Sequence, residues 1–499
     1  MLKNIFHQYP LAFIFSALLL SNCASENREE EKHSPSPNVL LILIDDMGWK
    51  DAAYSGSKYY ETPNIDNLSK EGMVFVNGYA GASNCAPSRA CLLSGLNTPR
   101  HGIFTVGNSD RGIDKIRKLI PTKNTLFLED SVYTLPEMFK SAGYVTGHFG
   151  KWHVSKDPTT QGIDVNVAGG VNGGPGGGGY FSPYNVPNIE DGEEGEYLTD
   201  RLTNEVISFI TKYKDTTFFA YVPYYTVHAP WNSRKDWLEK YKGKKGSEGQ
   251  SHPEYGGMIS AMDENVGRLL SAVKALGLEE NTLVIFSSDN GGVRFISHQT
   301  PLKAGKGAYY EGGIRVPMII KWPGVVEAGS TSEERITNMD FYPTLQAIVH
   351  PEKKATFLDG VDISPALNGT SLGKRDLFWH FPVYLNAQEL GGDDSRDSLF
   401  RTRPGSIIIS GDWKLHEYFE DGGKELYNLK DDPGESNNLI KENPKKGEEL
   451  YKKLVDWRKK TNAPVPTDLN PLYDPAFERT LVDLIKTDPQ KAEKIYKSN

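Results

Sequence analysis

Through most of this chain the apolar positions come in blocks rather than in alternation. Val39-Leu40-Leu41-Ile42-Leu43-Ile44 is an unbroken apolar run that stops abruptly at Asp45-Asp46. That is the pattern of a central parallel strand covered on both faces. The same shape recurs at Phe218–Val222, shortly before His228, and at Thr282–Phe286, which runs into Asp289-Asn290. A shorter version, Tyr144-Val145-Thr146, precedes Gly150-Lys151-Trp152-His153. Helical periodicity between these runs places helices over Tyr133–Ala142 and Met258–Leu276. The predicted fold class is α/β, a large doubly wound, mixed but mostly parallel sheet flanked by helices.

After about Leu372 the blocks shorten. Ser406–Ile409, Trp413–Leu415 and Glu425–Leu429 read as antiparallel strands joined by turns at Gly411-Asp412 and Gly422-Gly423. Glu448–Lys459 reads as an amphipathic helix, and the charged tail after Asp474 as a solvated one. The expected organisation is a main α/β domain over 38–372 and a smaller C-terminal α+β subdomain with an antiparallel sheet over 373–499. The glycine-dense stretch Gly169–Gly179 supplies no core side chains and reads as a mobile surface loop near a substrate entrance.

At the N-terminus, Lys3 precedes an apolar run from Leu11 to Leu20, too short to span a membrane comfortably. Residues 1–23 therefore read as an export signal, and the polar segment 24–37 as a flexible tether. Ser21-Asn22-Cys23 resembles a bacterial lipobox, with Asn22 where a smaller residue usually stands. Two outcomes stay open, lipidation of Cys23 or plain signal cleavage. The expected location is the periplasm or the outer surface of a Gram-negative bacterium, with any membrane attachment only through an N-terminal lipid. The 499 residues carry a net charge of −9, which argues against nucleic acid as a partner. Beyond Cys23 the only cysteines are Cys85 and Cys91. Six apart on a helix they would lie about 9 Å apart along the axis, too far for a disulfide.

Ligands of open α/β sheets sit outside the carboxyl ends of the strands. Asp45-Asp46, Lys151 with His153, His228, and Asp289-Asn290 each follow a predicted strand at that end. Any one of them is as well explained by a turn or a helix cap, but four such coincidences in one sheet point to a shared site. Asp45, Asp46, Asp289 and Asn290 offer hard oxygen ligands, which suit Ca²⁺ or Mg²⁺ better than Zn²⁺. One Ca²⁺ per chain is expected, since calcium accepts irregular, carboxylate-rich cages. Cys85-Ala86-Pro87-Ser88-Arg89 has Pro87 fitting a first helical turn and Gly95 closing the helix. Cys85 would then stand at a helix N-terminus, where an anion is favoured. Taken alone, it reads equally well as a buried structural cysteine.

That run resembles the Cys-X-Pro-Ser-Arg signature of type I sulfatases, in the alkaline phosphatase superfamily. Thr62-Pro63-Asn64-Ile65-Asp66, Ser94-Gly95, Arg100-His101-Gly102, Gly150-Lys151-Trp152-His153, Ser288-Asp289-Asn290-Gly291, Gly305-Lys306-Gly307 and Glu311–Pro317 follow in family order. The likeness runs roughly from Asn38 to Asn438. It implies that a separate maturation enzyme oxidises Cys85 to formylglycine (3-oxoalanine), which acts as a hydrated gem-diol and, with Asp45, Asp46, Asp289 and Asn290, borders the metal. The resemblance implies that Arg89 holds the formylglycine and that Lys151 and Lys306 bind the sulfate oxygens. It assigns to His228 the protonation of the leaving alcohol, and to His153 the removal of the proton that expels sulfate. Lys303 is expected to sit behind or outside the site and Arg315 to anchor its turn. Arg294 and His298 are candidates for contacting a sugar, and His380 for reaching the site from the C-terminal subdomain.

The implied substrate is a sulfated carbohydrate, such as oligosaccharides from ulvan or another algal polysaccharide, with host glycosaminoglycan as competitor. Alternatives are a phosphonate or phosphodiester hydrolase of the same superfamily, and an inactive sugar-binding relative. The latter would have lost Cys85 or a metal carboxylate, and none is lost. Oligomeric state is not encoded in any of these motifs.

Overall fold

In the computed structural model, which describes residues 36–498, Asn38–Ile44 is a strand with all seven residues buried. Its side chains alternate between two cores. Leu40, Ile42 and Ile44 join one cluster, and Val39, Leu41 and Leu43 join the other, on the opposite face. Full burial of one such side chain contributes roughly 1.5–3 kcal/mol, so this strand alone fixes the centre of the sheet.

The sheet has eight strands in the order Val165–Val167, Val145–Phe149, Phe218–Pro223, Asn38–Ile44, Thr282–Ser288, Met318–Lys321, Met73–Phe75 and Ser330–Ser332. Asn38–Ile44 pairs in parallel with both neighbours, and Met318–Lys321 alone runs antiparallel to its own. The mixed, mostly parallel sheet read from the apolar blocks is therefore what forms. Helices Leu198–Lys212 and Pro253–Ala275 bury Leu202, Val206, Met258, Ile259, Met262 and Val266 on one face. Cys85–Ser94 and Phe341–Val349 bury Leu92, Leu93, Phe341 and Leu345 on the other. Pro253–Ala275 starts five residues before the expected Met258, because Pro253 fits the first turn and the His252 side chain accepts from Tyr255 N–H.

A second sheet orders Asp376–Phe381, Gly405–Ser410, Trp413–Tyr418 and Lys424–Asn428, all antiparallel. One face packs Ile408, Leu415 and Leu426 against Leu450, Leu454 and Trp457 of helix Pro444–Thr461. The other packs Trp379, Phe381, Ile407 and Ile409 against Tyr79, Tyr309 and Ile314. The tail departs from the expected solvated helix. It forms Pro475–Thr487 and Pro489–Ser498, buries Leu481 and Ala492, and its Tyr496 hydroxyl donates to the Leu399 carbonyl at 2.6 Å. The segment read as an export signal, Cys23 and nearly all of the expected tether lie outside the described residues. Among those described, no helix is long and apolar enough to cross a membrane.

Candidate active site

Strand register builds the site. Ile44 lies opposite Ser288, and Asp289 N–H donates to the Ile44 carbonyl at 3.1 Å, so Asp45-Asp46 and Asp289-Asn290 leave the sheet side by side. On the other flank Leu43 lies opposite Pro223, whose carbonyl accepts from Lys151 N–H at 2.7 Å. That approach requires glycine at 150. Its φ is +129°, and a Cβ there would sit 2.2 Å from the Pro223 oxygen. Asp45 N–H donates to the Thr226 carbonyl at 3.0 Å, which brings the turn carrying His228 over the same end.

Helix Cys85–Ser94 buries all ten residues and ends at Gly95 in the left-handed region, with Gly95 N–H bonded to the Cys91 carbonyl. Cys85 and Arg89 are four apart, hence on one face. The Arg89 Nε donates to Asp289 Oδ2 at 2.8 Å, and its Nη1 donates to the Lys151 carbonyl at 2.7 Å. The Lys151 ammonium donates to Asp45 Oδ2 and that of Lys306 to Asp46 Oδ2, both at 2.7 Å. Asn290 Nδ2 donates to Asp46 Oδ1 at 2.8 Å, and Cys85 Sγ lies 3.9 Å from that same oxygen. Cys85 and Cys91 are both free thiols.

Asp45, Asp46 and Asp289 each offer an oxygen within 4.8 Å of the others. Asp45 Oδ1 and Asn290 Oδ1 are buried with no hydrogen-bond partner. Orphaned buried acceptors are costly, and these belong to hard-oxygen donors converging on one point. The residue set therefore fits a divalent cation. Asp46 and His153 both hold left-handed backbone, at φ 65° and 68°, conformations that cost on the order of 1–3 kcal/mol each and cluster at working sites.

Burial alone would raise Asp46, but the charge of Lys306, with that of Lys151, holds it below the usual carboxylate range. Burial pushes Asp289 above that range despite Arg89. The Cys85 thiol is pushed up to about 11 by burial, against the pull of Lys151 and Lys306. His228 differs from the near-neutral acid expected. Burial and then Lys306 take it down to about 3, so the ring is neutral in the free site. Its Nδ1 lies 2.7 Å from the Ala229 carbonyl, so Nδ1 donates and Nε2, 3.8 Å from Asp46 Oδ2, keeps its lone pair. Burial and Lys151 likewise push His153 well below its ordinary value, and its Nδ1 has no partner.

The glycine-dense loop is not a detached surface feature. A Cβ on Gly173 would meet the His153 ring at 2.8 Å, and one on Gly174 the His228 ring at 3.2 Å. Bare backbone thus roofs both imidazoles. Arg294 stands at the rim, where its Cβ faces Gly305 and its Nε lies 3.8 Å from Asp394. His298 packs against Gly249. Lys303 lies over the Tyr310 ring, and Arg315 donates to the Val76 carbonyl and to Asn77, as a turn anchor would. His380 is a correction. It is fully buried, bonded to Ser406 Oγ and the Pro464 carbonyl, and ringed by Phe104, Phe419 and Trp457. Both ring nitrogens are used inside the second domain's core, so it cannot touch a substrate.

Sequence reasoning passed over Asp51. It is fully buried and accepts from Gly48 N–H, Tyr255 Oη, Ser297 Oγ and Gln299 Nε2 at 2.6–2.9 Å. It thereby ties the loop after Asp46 to the loop after Asn290. The only signal was an acid five residues beyond the ligand pair. Tyr180 was also missed. Its hydroxyl donates to the Tyr225 and His228 carbonyls and so fixes the histidine turn.

Residues 37–350 match the family model described as Sulfatase, and residues 305–461 the one described as N-sulphoglucosamine sulphohydrolase, C-terminal. A Formosa agariphila protein named Sulfatase is 34% identical over 532 aligned positions, covering 90% of this chain and 94% of its own. The N-acetylgalactosamine-6-sulfatase of Canis lupus familiaris is 32% identical, covering 71% of this chain and 70% of its own. Among solved structures, Ps i-CgsB in complex with k-i-k-neocarrahexaose superposes with a TM-score of 0.68 at 27% identity, covering 85% of this chain and 92% of its own.

Proposed function

This chain belongs to the sulfatase family, the type I sulfuric ester hydrolases of the alkaline phosphatase superfamily, and from that premise we propose that it is an exported enzyme desulfating polysaccharide-derived oligosaccharides with a nucleophile made from Cys85. One observation carries the reading. Cys85 borders a cluster of three carboxylates in which Asp45 Oδ1 and the neighbouring Asn290 Oδ1 have no partner, while two lysines and two histidines face the same point. An inactive relative would have no reason to retain every member.

The cation is proposed to be Ca²⁺, held by Asp45, Asp46, Asp289 and Asn290. When bound, it offsets carboxylate charge and the charge of the sulfate being transferred. Formylglycine at position 85, installed by a maturation enzyme and hydrated, supplies one hydroxyl to bond to sulfur and a second whose deprotonation releases sulfate. An unmodified Ser or Cys has no second hydroxyl and would stop at the sulfated enzyme. Lys151 and Lys306, the latter only partly buried, hold the peripheral sulfate oxygens, where transferred charge needs fixed partners. Arg89 cannot swing, since it is bonded to Asp289 and the Lys151 carbonyl; it sets the position of residue 85.

His228 is neutral in the free site, so its Nε2 first takes the proton of the hydroxyl that bonds to sulfur and then passes it to the departing alcohol oxygen as the sulfur–oxygen bond breaks. His153, neutral and with a free Nδ1, takes the proton from the second hydroxyl. Per turnover one ester and one water become one alcohol, one sulfate and one proton, with no redox change.

The substrate reading rests on relatives named for a hexosamine sulfate or solved with an oligosaccharide. It places ulvan or another algal polysaccharide first and glycosaminoglycan second. Export and any lipid on Cys23 would put the enzyme in the periplasm or on the cell surface of a Gram-negative bacterium. The test is sulfate release from a panel of defined sulfated oligosaccharides and an aryl sulfate, with Cys85→Ala as control and peptide mass spectrometry of residue 85. We expect release from at least one sugar, a loss of at least about 10³-fold in the variant, and aldehyde at position 85. Undiminished turnover by Cys85→Ala, or only free thiol in active enzyme, overturns the mechanism. Release from the aryl sulfate alone overturns the carbohydrate reading.

A further inference from the structure

Two arginines beside the nucleophile have no carboxylate within ion-pair distance among the described residues. Arg401, on the short strand Phe400–Thr402, is 8% exposed. Its Nε donates to the Asn386 carbonyl at 3.0 Å and its Nη1 to the Lys306 carbonyl at 3.2 Å. Its Nη2 has no acceptor among the described residues. Arg403, two residues on, shows what a structural arginine looks like here. It pairs with Asp397, Glu420 and Glu478, each at 2.7 Å.

Arg111 is the second. Its Nη2 donates to the Val106 carbonyl, its Nε and Nη1 have no acceptor, and no carboxylate lies within ion-pair distance among the described residues. The loop that carries it is pinned at both ends of the site. Asn84, the residue before Cys85, donates from Nδ2 to Thr105 Oγ1 at 3.0 Å. Tyr384 N–H donates to the Ser109 carbonyl at 3.0 Å, and Gly112 packs against Phe400 and Asn386. Arg111 is thereby brought alongside Arg401, and each lies near the reacting centre, Arg401 through Lys306 and Arg111 through the loop at Cys85.

Like charges side by side, one of them nine-tenths buried, are unfavourable unless something negative joins them. Burial pulls both guanidiniums below their ordinary range, Arg401 to about 10, where the Arg111 charge adds to it and the charge of Asp393 only partly offsets it. Among the described residues no acid forms an ion pair with either one; Asp393 and Asp46 act on Arg401 only from beyond ion-pair distance. Lys151 and Lys306 are already committed to the carboxylates and to the sulfate that reacts. The free N–H groups of Arg111 and Arg401 are planar forks of the kind that bind oxyanions in pairs.

We propose that Arg111 and Arg401 form an oxyanion subsite that reads a second anionic group, a further sulfate ester or a uronate carboxylate, on the sugar whose sulfate is cleaved. This rests on the carbohydrate sulfatase reading above and narrows it, since the preferred substrate carries at least two negative groups close together.

The experiment compares three oligosaccharides bearing the same scissile ester, one otherwise neutral, one with a second sulfate, and one with a neighbouring uronate. Wild-type enzyme is expected to favour one of the two dianionic substrates by about tenfold or more in kcat/KM, the better of them identifying the source. Arg111→Gln is expected to reduce that preference by about tenfold, mainly through KM, with Arg111→Lys intermediate because charge remains but the fork is lost. Arg401→Gln should act in the same direction; if it does not fold, the Arg111 pair carries the test. A wild type with no preference, or an Arg111→Gln enzyme that keeps it, overturns the subsite while leaving the sulfatase reading intact. Cleavage of aryl sulfate but of none of the three sugars removes the carbohydrate reading and this proposal with it.

Discussion

Two clusters of buried charge in this protein look alike in composition and differ in whether their bonds close. Near the second sheet, Lys414 sits 3.0 Å from both Glu311 and Glu435, and His416 Nε2 lies 3.0 Å from Glu435. Glu435 also accepts from Glu311 N–H, and Glu311 from the Tyr79 hydroxyl. None of these four groups is left without a partner. At the carboxyl ends of the main sheet, Asp45, Asp46, Asp289, Arg89 and Lys151 are as deeply placed, yet Asp45 Oδ1, Asn290 Oδ1 and His153 Nδ1 have no partner. The closed cluster joins the two sheets and asks for nothing more. The open one is arranged for groups the chain does not itself provide. Burial of charge does not separate these two clusters; unfilled hydrogen-bonding capacity does.

The strongest way to break this contrast is to open the closed cluster. Lys414→Met leaves Glu311 and Glu435 facing each other without their cation and should destabilise by about 3–5 kcal/mol. Urea unfolding measures it, and sulfate release per folded molecule should persist because no group at the reacting centre is touched. A loss of activity without loss of stability would erase the distinction. The converse is to fill the open cluster. Stripping divalent ions with a chelator and restoring Ca²⁺ should raise stability by about 2.7 kcal/mol at a hundredfold excess over Kd. Thermal unfolding reads the shift, and Asp45→Asn should lose most of it.

The smallest effect concerns His380, which is packed as glue. Burial takes it down to about 3, whereas the unfolded chain holds it near 6.5. The unfolded state therefore binds the extra proton between those values. The associated stability is complete above about pH 6.5 and drains away at up to about 1.4 kcal/mol per pH unit as pH falls toward 3. His380→Gln should make the acid limb of the stability profile shallower by that amount. Buried His101 and His148, held at about 3 and about 4 by burial, keep the limb from vanishing. An unchanged slope would place His380 in contact with solvent after all.

The main sheet was legible because a strand buried on both faces has to be apolar throughout, and Val39–Ile44 is. The site followed from it, since Asp45, Lys151, His228 and Asp289 each come directly after such a strand. What the sequence did not show depends on partners far along the chain. Met318–Lys321 is as apolar as its neighbours, and nothing in four residues states that it runs antiparallel. Asp376–Phe381 did not stand out as an edge strand, because its outward positions are filled by Phe378 and His380 facing helix Pro444–Thr461. Arg401 and Arg403 are indistinguishable on paper. Only the fold shows that Arg403 is ion-paired to three acids and that Arg401, among the described residues, is ion-paired to none.

The pairing of Ile44 with Ser288 has a consequence in time. The chain is made from its N-terminus, and the two halves of the carboxylate cluster lie 243 residues apart between Asp46 and Asp289. Until the Thr282–Ser288 strand is available to slot beside Asn38–Ile44, helix Cys85–Ser94 has no Asp289 to lock Arg89. Cys85, 2% exposed once folding is complete, is still reachable then. Any enzyme that must grip residue 85 has that interval in which to act. On the proposed mechanism, a chain that folds too early would be sealed with its thiol intact, complete in shape and idle.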